Sequence, residues 1–368
     1  MRRRQILTAA GALALGSPLV AMGRSANPAA GPWPGFDHPR AAPLDRLIDR
    51  LAASTAIADP RRFGAIGDGR ADDGAALAAA ARSGADFLAV PPGRYRVARH
   101  VELPIAVVAL GGTVLVDETA SLTLRAQCLA ARGEALFEAA PGAVHLPGQI
   151  VCLSWFGATA AVVDNSRAIQ ATLDSGAATV LVDGVFGHRH NRVNDGQTVS
   201  GWGAATGFTL APLDTLISWQ ANHPRFYGLA TRSAIGFCQF EHFAYDGNAA
   251  RHGDRATLYR ELRRPDGRLF VGRIRQANVA IFNVEHARIV GVTSCNAVRN
   301  CFFVGASAKH ADSFAEIEDC VAENSDIDHA LYCNGGRARV DGFQVRGFAH
   351  NSYIVNTARR CAGSISPT

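Results

Sequence analysis

The stretch from Phe63 to Val101, FGAIGDGRADDGAALAAAARSGADFLAVPPGRYRVARHV, constrains the fold of this 368-residue chain more than any other. Gly64, Gly67 and Gly69 give backbone freedom ahead of a helix. Asp72 or Asp73 can accept hydrogen bonds from the free N–H groups at a helix start. Ala75 to Ala81 is almost pure helix former, and Gly84 is a natural stop. Phe87 to Val90 then reads as a short apolar strand and Pro91-Pro92-Gly93 as a turn. Beyond it Tyr95 and Val97 alternate with Arg94 and Arg96, as in a strand.

A weaker copy of this module begins at Trp155, roughly 92 residues on, and runs over 156–190. Phe156-Gly157-Ala158 repeats Phe63-Gly64-Ala65, and Asp164-Asn165 falls on Asp72-Asp73 once one residue is dropped. A shared helix cap explains acidic residues at both places better than a shared active site does. The C-terminal third carries a shorter repeat. Residues 299–304, 328–333 and 350–355 are segments of one kind, spaced by 29 and then 22 residues. Before each comes a matching strand, at 287–292, 315–320 and 338–343. A repeat of this length cannot bury its apolar face alone, so neighbours must stack.

The Phe63–Tyr95 pattern, F-G-A-x-G-D-G-x-x-D-D followed by an Ala-rich helix and a strand ending in P-P-G-x-Y, resembles the opening segment of the pectate-lyase-like superfamily. The likeness is to its pectate lyase 3 and tailspike-like members. It implies an all-β solenoid: a single-stranded right-handed parallel β-helix with short N-terminal capping helices. Polysaccharide lyases, glycoside hydrolases, epimerases and phage tailspikes share that fold, so the fold does not fix the reaction. Many tailspike-like relatives associate as trimers, which leaves a homotrimer open here.

Residues 1–23 read as an export signal of the twin-arginine type, Arg3-Arg4-Gln5-Ile6-Leu7 followed by a short apolar run and a small-residue cleavage site near Ala21-Met22-Gly23. Periplasmic or secreted location is the expectation. Residues 24–58 read as a linker with a helix at Leu44–Ala53, and 59–368 as the β-helix. No other stretch is apolar enough to span a membrane once the signal is removed. The formal charge of +5 is largely the signal's: four of 37 basic residues lie in 1–24, leaving 33 against 32 acidic. Nothing there calls for nucleic acid, and long-range attraction of an anionic polymer is weak. Eight cysteines show no CxxC and no metal-like spacing; stacked buried thiols and disulfides both fit.

Chemistry-bearing residues gather in the C-terminal third. Lys309 is the one lysine among 37 basic residues, and a lysine beside arginines can serve as a base. Asp326, Asp328, His329 and Tyr332, followed by Arg337, form the richest constellation, and Asp328-His329-Ala330-Leu331-Tyr332 resembles an Asp-His-Gly-Ile-Tyr segment common in the superfamily. On a strand, residues 329 and 332 point to opposite faces, so they cooperate only if a turn ends between them. A second set, Asp246, Asn248, Arg251 and His252 with Tyr227 and Trp219, reads as a substrate-binding loop with aromatic platforms, or equally as a turn and core. The segments His188–Asp195 and Asp246–Arg275 read as long excursions.

For β-elimination on a uronate polymer, a carboxylate must be neutralised by Ca²⁺ or Arg, a base must take a proton, and an acid must assist the leaving oxygen. Arg, Lys309, His329 and Tyr332 suit those roles. For hydrolysis two carboxylates must flank the bond, and Asp326 with Asp328, or Glu316 with Glu318, share a face. A polysaccharide lyase is the first reading. A glycoside hydrolase or a non-catalytic glycan-binding β-helix is the alternative. Calcium, if used, would bind across repeats, because no EF-hand-like loop is present.

Overall fold

A computed structural model describes residues 40, 42–54, 56–213, 227–231, 234–252, 265, 276–306, 313–326, 329–347, 355–356 and 365–367. The chain is mostly β, and its paired strands run parallel, with one isolated antiparallel bridge, Gly305 to Gly335, among the described residues. That arrangement is consistent with a β-helix. Two compact units are distinguished: residues 1–158 with 167–183, and residues 159–166 with 184–368. The expected signal peptide lies outside the described residues.

The first unit contains helix α1 (Ala42–Ala53) and three parallel sheets. One sheet holds Ile57–Ala58, Phe87–Val90, Ala106–Ala109 and Cys128–Leu129; the second Asp68–Asp72, Gly93–Val97, Gly112–Val116 and Phe137–Glu138. His100–Leu103, Ser121–Leu124 and Val144–His145 form the third. Successive passages of the chain therefore add one strand to each sheet in turn. Strand Gly93–Val97 shows the selection at work: Tyr95 and Val97 are buried, while Arg94 faces out to pair with Glu138. Side-chain amides splice one gap in the ladders. Gln127 bonds both backbone groups of Ile150, and Gln149 accepts from Cys128 N–H and donates to Leu124 C=O.

Helix α2 (Gly74–Ala81) buries Leu77 and four alanines against the unit. Its acidic flank does structural work. Asp73, almost fully buried, accepts from Ile66 N–H at 2.7 Å and Gly67 N–H at 3.1 Å, so it pins the glycine-rich turn. Asp72 meets the helix start, accepting from Gly74 N–H and Ala98 N–H. Before α3 (Ser166–Leu173) the roles recur: Asp164 accepts from Ser166 N–H, and Asn165 accepts from Thr159 N–H. Strand Asp68–Asp72 was not legible as one, because its sequence, DGRAD, has no apolar alternation.

In the second unit one sheet runs through Ile235–Asp246, Val284–Val290, Phe314–Glu318 and Arg337–Asp341. A six-stranded sheet holds His190–Val193, Tyr227–Thr231, Gln276–Phe282, Asn300–Gly305, Leu331–Asn334 and Val355–Asn356. The segment His188–Asp195 is therefore no excursion: its strand pairs with Gly228–Thr231 within the ladder. Register follows the sequence repeat, with Ala287 opposite Ala315 and Ala315 opposite Ala338. Phe302 lies opposite Leu331, 29 residues on, but Tyr332 lies opposite Val355, 23 on, not 22. Inside, like packs on like: Phe240, Ile289, Ile317 and Val340 form one buried column, and Leu229, Val279, Phe302 and Leu331 another. Full burial of each such side chain contributes about 1.5–3 kcal/mol.

The seven described cysteines are free thiols, six of them buried. Burial pushes Cys301 and Cys320 up to about 12, so neither is a nucleophile at neutral pH. Cys361 lies outside the described residues.

Corners between strands need a left-handed residue, and it recurs at the same place in each repeat. His242, Gly291, Asp319 and Gly342 have φ of 55°, 60°, 51° and 60°. The next corner uses Asn296, Asn324 and Gly347. Glycine is required where the neighbouring repeat's side chain fills the space of a Cβ. A Cβ on Gly342 would stand 2.2 Å from Asp319 Oδ1, and one on Gly291 would stand 2.6 Å from His242 Nδ1. Gly342→Ala should therefore lower stability by more than the ~1 kcal/mol of a simple left-handed penalty. Adding Asp319→Gly should restore part of the loss in a denaturant titration. Full stability of the single variant would contradict the corner argument.

Candidate functional site

Of the sequence-derived candidates, Lys309, Asp328 and Trp219 lie outside the described residues, as does the side chain of Tyr227, whose backbone belongs to strand Tyr227–Thr231. The others fall into three places. Asp246, Asn248, Arg251 and His252 form a turn. Asp246 Oδ1 accepts from Asn248 N–H at 2.8 Å and from Asn296 Nδ2 at 3.1 Å, and Asn248 takes the left-handed conformation at φ 53°. His252 is buried, donating from Nε2 to Gly247 C=O and accepting Leu213 N–H at Nδ1. Only Arg251 of this set is exposed. These bonds tie the turn to its neighbours.

His329 and Tyr332 come together. His329 lies just ahead of strand Leu331–Asn334, so the turn ends between the two residues. Their ring centroids are 5.5 Å apart, and both side chains are half-buried. Pairing with the neighbouring strand sets Tyr332 opposite Phe303, 5.8 Å between centroids. The guanidinium carbon of Arg299 lies 5.7 Å from the centre of the Tyr332 ring. Arg299 was missed as a site residue. Its signal was present: it immediately precedes the strand Asn300–Gly305, beside which the Tyr332 strand lies. Asp326 follows the strand Val321–Ser325 and donates its N–H to Ala297 C=O at 2.8 Å.

Arg337 belongs elsewhere. The Gly335–Gly336 turn carries the chain from the six-stranded sheet to the other, where Arg337 stands over Phe314 at 5.9 Å. There a ladder of outward residues runs across four aligned strands. His286 stacks on Phe314 at 5.7 Å and on its other side meets Phe237 at 5.9 Å. Glu316 Oε2 lies 3.2 Å from His286 Nε2 and 3.6 Å from Arg288 Nε, and Arg288 Nη2 donates to Glu318 at 3.0 Å. Glu316 and Glu318 thus share an outward face with one guanidinium between them. Among the described residues no group of three His, Cys, Asp or Glu side chains is placed to hold a metal ion.

Another set of catalytic residue types is sealed inside. His188 bonds Asn191 Oδ1 through Nδ1 and Tyr245 OH through Nε2, each at 2.8 Å, and all three side chains are buried. Because asparagine Oδ1 can only accept, His188 carries its proton on Nδ1 and accepts the phenol proton at Nε2. Burial lowers its pKa from 6.5 to about 4, outweighing the Asn191 bond and the Asp164 charge; the nearby His190 lowers it further. Above pH 6.5 the imidazole is neutral whether the chain is folded or unfolded. As pH falls from 6.5 toward 4, only the unfolded chain takes the proton, so stability drops by up to about 3 kcal/mol. Titrations of wild type and His188→Asn across that window should differ in slope by up to one proton. Parallel curves would contradict this assignment.

No family model matches the chain, and no curated protein does either. Among solved structures, the enzymatically active domain of tailspike protein 2 from bacteriophage CBA120 aligns at 12% identity. That alignment covers 84% of this chain and 47% of the tailspike domain, with a TM-score of 0.37. A Geobacillus virus E2 protein, ORF18, aligns at 12% identity over 88% of this chain and 63% of its own, with a TM-score of 0.23. The chain thus spans about half to two thirds of these proteins. Its fold assignment rests on its own strand pairing rather than on them. No described helix is long and apolar enough to cross a membrane.

Proposed function

We propose that this chain is an exported, carbohydrate-active right-handed β-helix with N-terminal helical caps, and that it cleaves a uronate-containing polysaccharide by β-elimination. The observation that carries the reading is the His329–Tyr332 pair, partly exposed beside a parallel ladder with ring centroids 5.5 Å apart. Elimination needs one group to take the proton α to the uronate carboxylate and another to protonate the departing β-oxygen. The C–H electrons become the new C=C bond, and the C–O bond breaks with its electrons on the leaving oxygen. Imidazole and phenol can divide those roles, and a fixed pair avoids the entropy of assembling them. Lys309, also a candidate base, stays in the proposal as a residue to test.

The purified protein, offered a panel of uronate polysaccharides with Ca²⁺ and with chelator, should raise ultraviolet absorbance as unsaturated uronyl ends form. His329→Ala and Tyr332→Phe should each slow turnover by on the order of 10²–10⁴-fold while melting like wild type. Undiminished turnover in both variants would reject the site. A second reading has its own support in the Glu316–Arg288–Glu318 set, two carboxylates on one open face. If the chain is a hydrolase, reducing ends should appear without ultraviolet absorbance, and Glu316→Gln should abolish them. A glycan-binding module would do neither, yet would be retarded in a glycan affinity gel.

A further inference from the structure

We propose that Ser121 and His100, on the outer face of the first unit, form a nucleophile–base pair that hydrolyses short acyl esters. The inference is independent of the elimination reading and uses none of its residues. His100 opens the strand His100–Leu103 and Ser121 opens the strand Ser121–Leu124, and parallel pairing sets the two opposite each other. Val101, Leu103, Leu122 and Leu124 are buried, so alternation along each strand turns His100 and Ser121 outward. There His100 Nδ1 lies 2.7 Å from Ser121 Oγ, with the histidine exposed and the serine partly so. Neither side chain has a second hydrogen-bond partner among the described residues. A serine hydroxyl is a weak nucleophile until a base within this reach takes its proton. Two residues along from His100, Glu102 stands on the same face, held by Arg125 through Nε at 3.0 Å and Nη2 at 3.1 Å. Thr123 lies opposite Glu102, and the exposed His145 lies opposite Thr123. These polar neighbours build no apolar wall for a long chain, so the pair suits a short acyl group such as acetyl. With the imidazole proton on Nε2, Nδ1 is free to accept. Ser121 Oγ bonds to the ester carbonyl carbon as its proton moves to Nδ1. The C–O bond to the alcohol then breaks, and the departing oxygen takes that proton. Water next attacks the acyl-serine, giving a proton to Nδ1. The C–Oγ bond breaks, Ser121 recovers the proton, and the free acid leaves.

The test treats the full chain with a fluorophosphonate, locates the adduct by peptide mass, and measures hydrolysis of p-nitrophenyl acetate by wild type, Ser121→Ala and His100→Gln. Wild type should take one phosphonyl group, at Ser121, and its hydrolysis should slow in acid, because a protonated imidazole cannot act as the base. Ser121→Ala should fall to the rate of buffer alone. His100→Gln should lose on the order of 10²–10⁴-fold in both labelling and turnover. Both positions are on the surface, so both variants should melt like wild type. Wild type that takes no label at Ser121 would overturn the proposal, and that result depends on no variant. Undiminished labelling in His100→Gln would overturn it as well, since the imidazole would then be a neighbour and not the base. Turnover that survives Ser121→Ala but is lost in His100→Gln would reject it too, by placing the attack on the imidazole itself.

Discussion

Hydrogen bonds between one repeat and the next carry this molecule. In a parallel ladder each strand offers its donors and acceptors sideways, to the strands above and below, and satisfies few of them by itself. Neighbouring strands therefore lie about 4.8 Å apart, and every residue meets its counterpart in the next repeat at close range. Most side-chain choices follow from that distance. Inward positions must tolerate stacking on themselves, hence the Ala287, Ala315, Ala338 column beside Phe240, Ile289, Ile317, Val340. Corner positions must not collide along the stack, hence glycine at 291 and 342, next to His242 and Asp319.

The same constraint shapes the outer surface. Because register is fixed, outward side chains of neighbouring strands become a grid whose geometry needs no loop to hold it. His286 finds Phe314, and Arg288 finds Glu316 and Glu318, because pairing puts 286 opposite 314 and 288 opposite 316. Residues three apart on one strand cannot join such a grid, since they face opposite ways. His329 joins Tyr332 because it stands in the turn before the strand rather than on it.

What the sequence made legible, and what it hid, divides along this line. Stacking leaves a period in the sequence, so the strands at 287–292, 315–320 and 338–343 align by their residues alone, and the pairing agrees. A strand such as Asp68–Asp72 left no trace, because its register comes from pairing with Arg94 and Arg96 rather than from an apolar face. His188–Asp195 looked like a polar loop for a related reason. Its His and Asn are polar yet buried, satisfied by partners that lie far along the chain, such as Tyr245. The contacts of Arg299, though not its place ahead of a strand, were hidden by the converse. Its neighbours Tyr332 and Gln276 are 33 and 23 residues away and touch it only through the ladder.

Among the described residues of the second unit histidine and tyrosine meet twice, and burial is what distinguishes the meetings. At His188–Tyr245 both rings are sealed, each polar atom has its partner, and the imidazole is held neutral well below its ordinary pKa. No substrate proton can reach it, and protonating it would cost folding energy. At His329–Tyr332 the rings are a similar distance apart, 5.5 Å against 5.4 Å, but only partly buried and accompanied by an arginine. Identical residue types at nearly identical separation thus sit in different environments. The buried pair satisfies itself and joins two strands, whereas the other keeps part of its surface exposed.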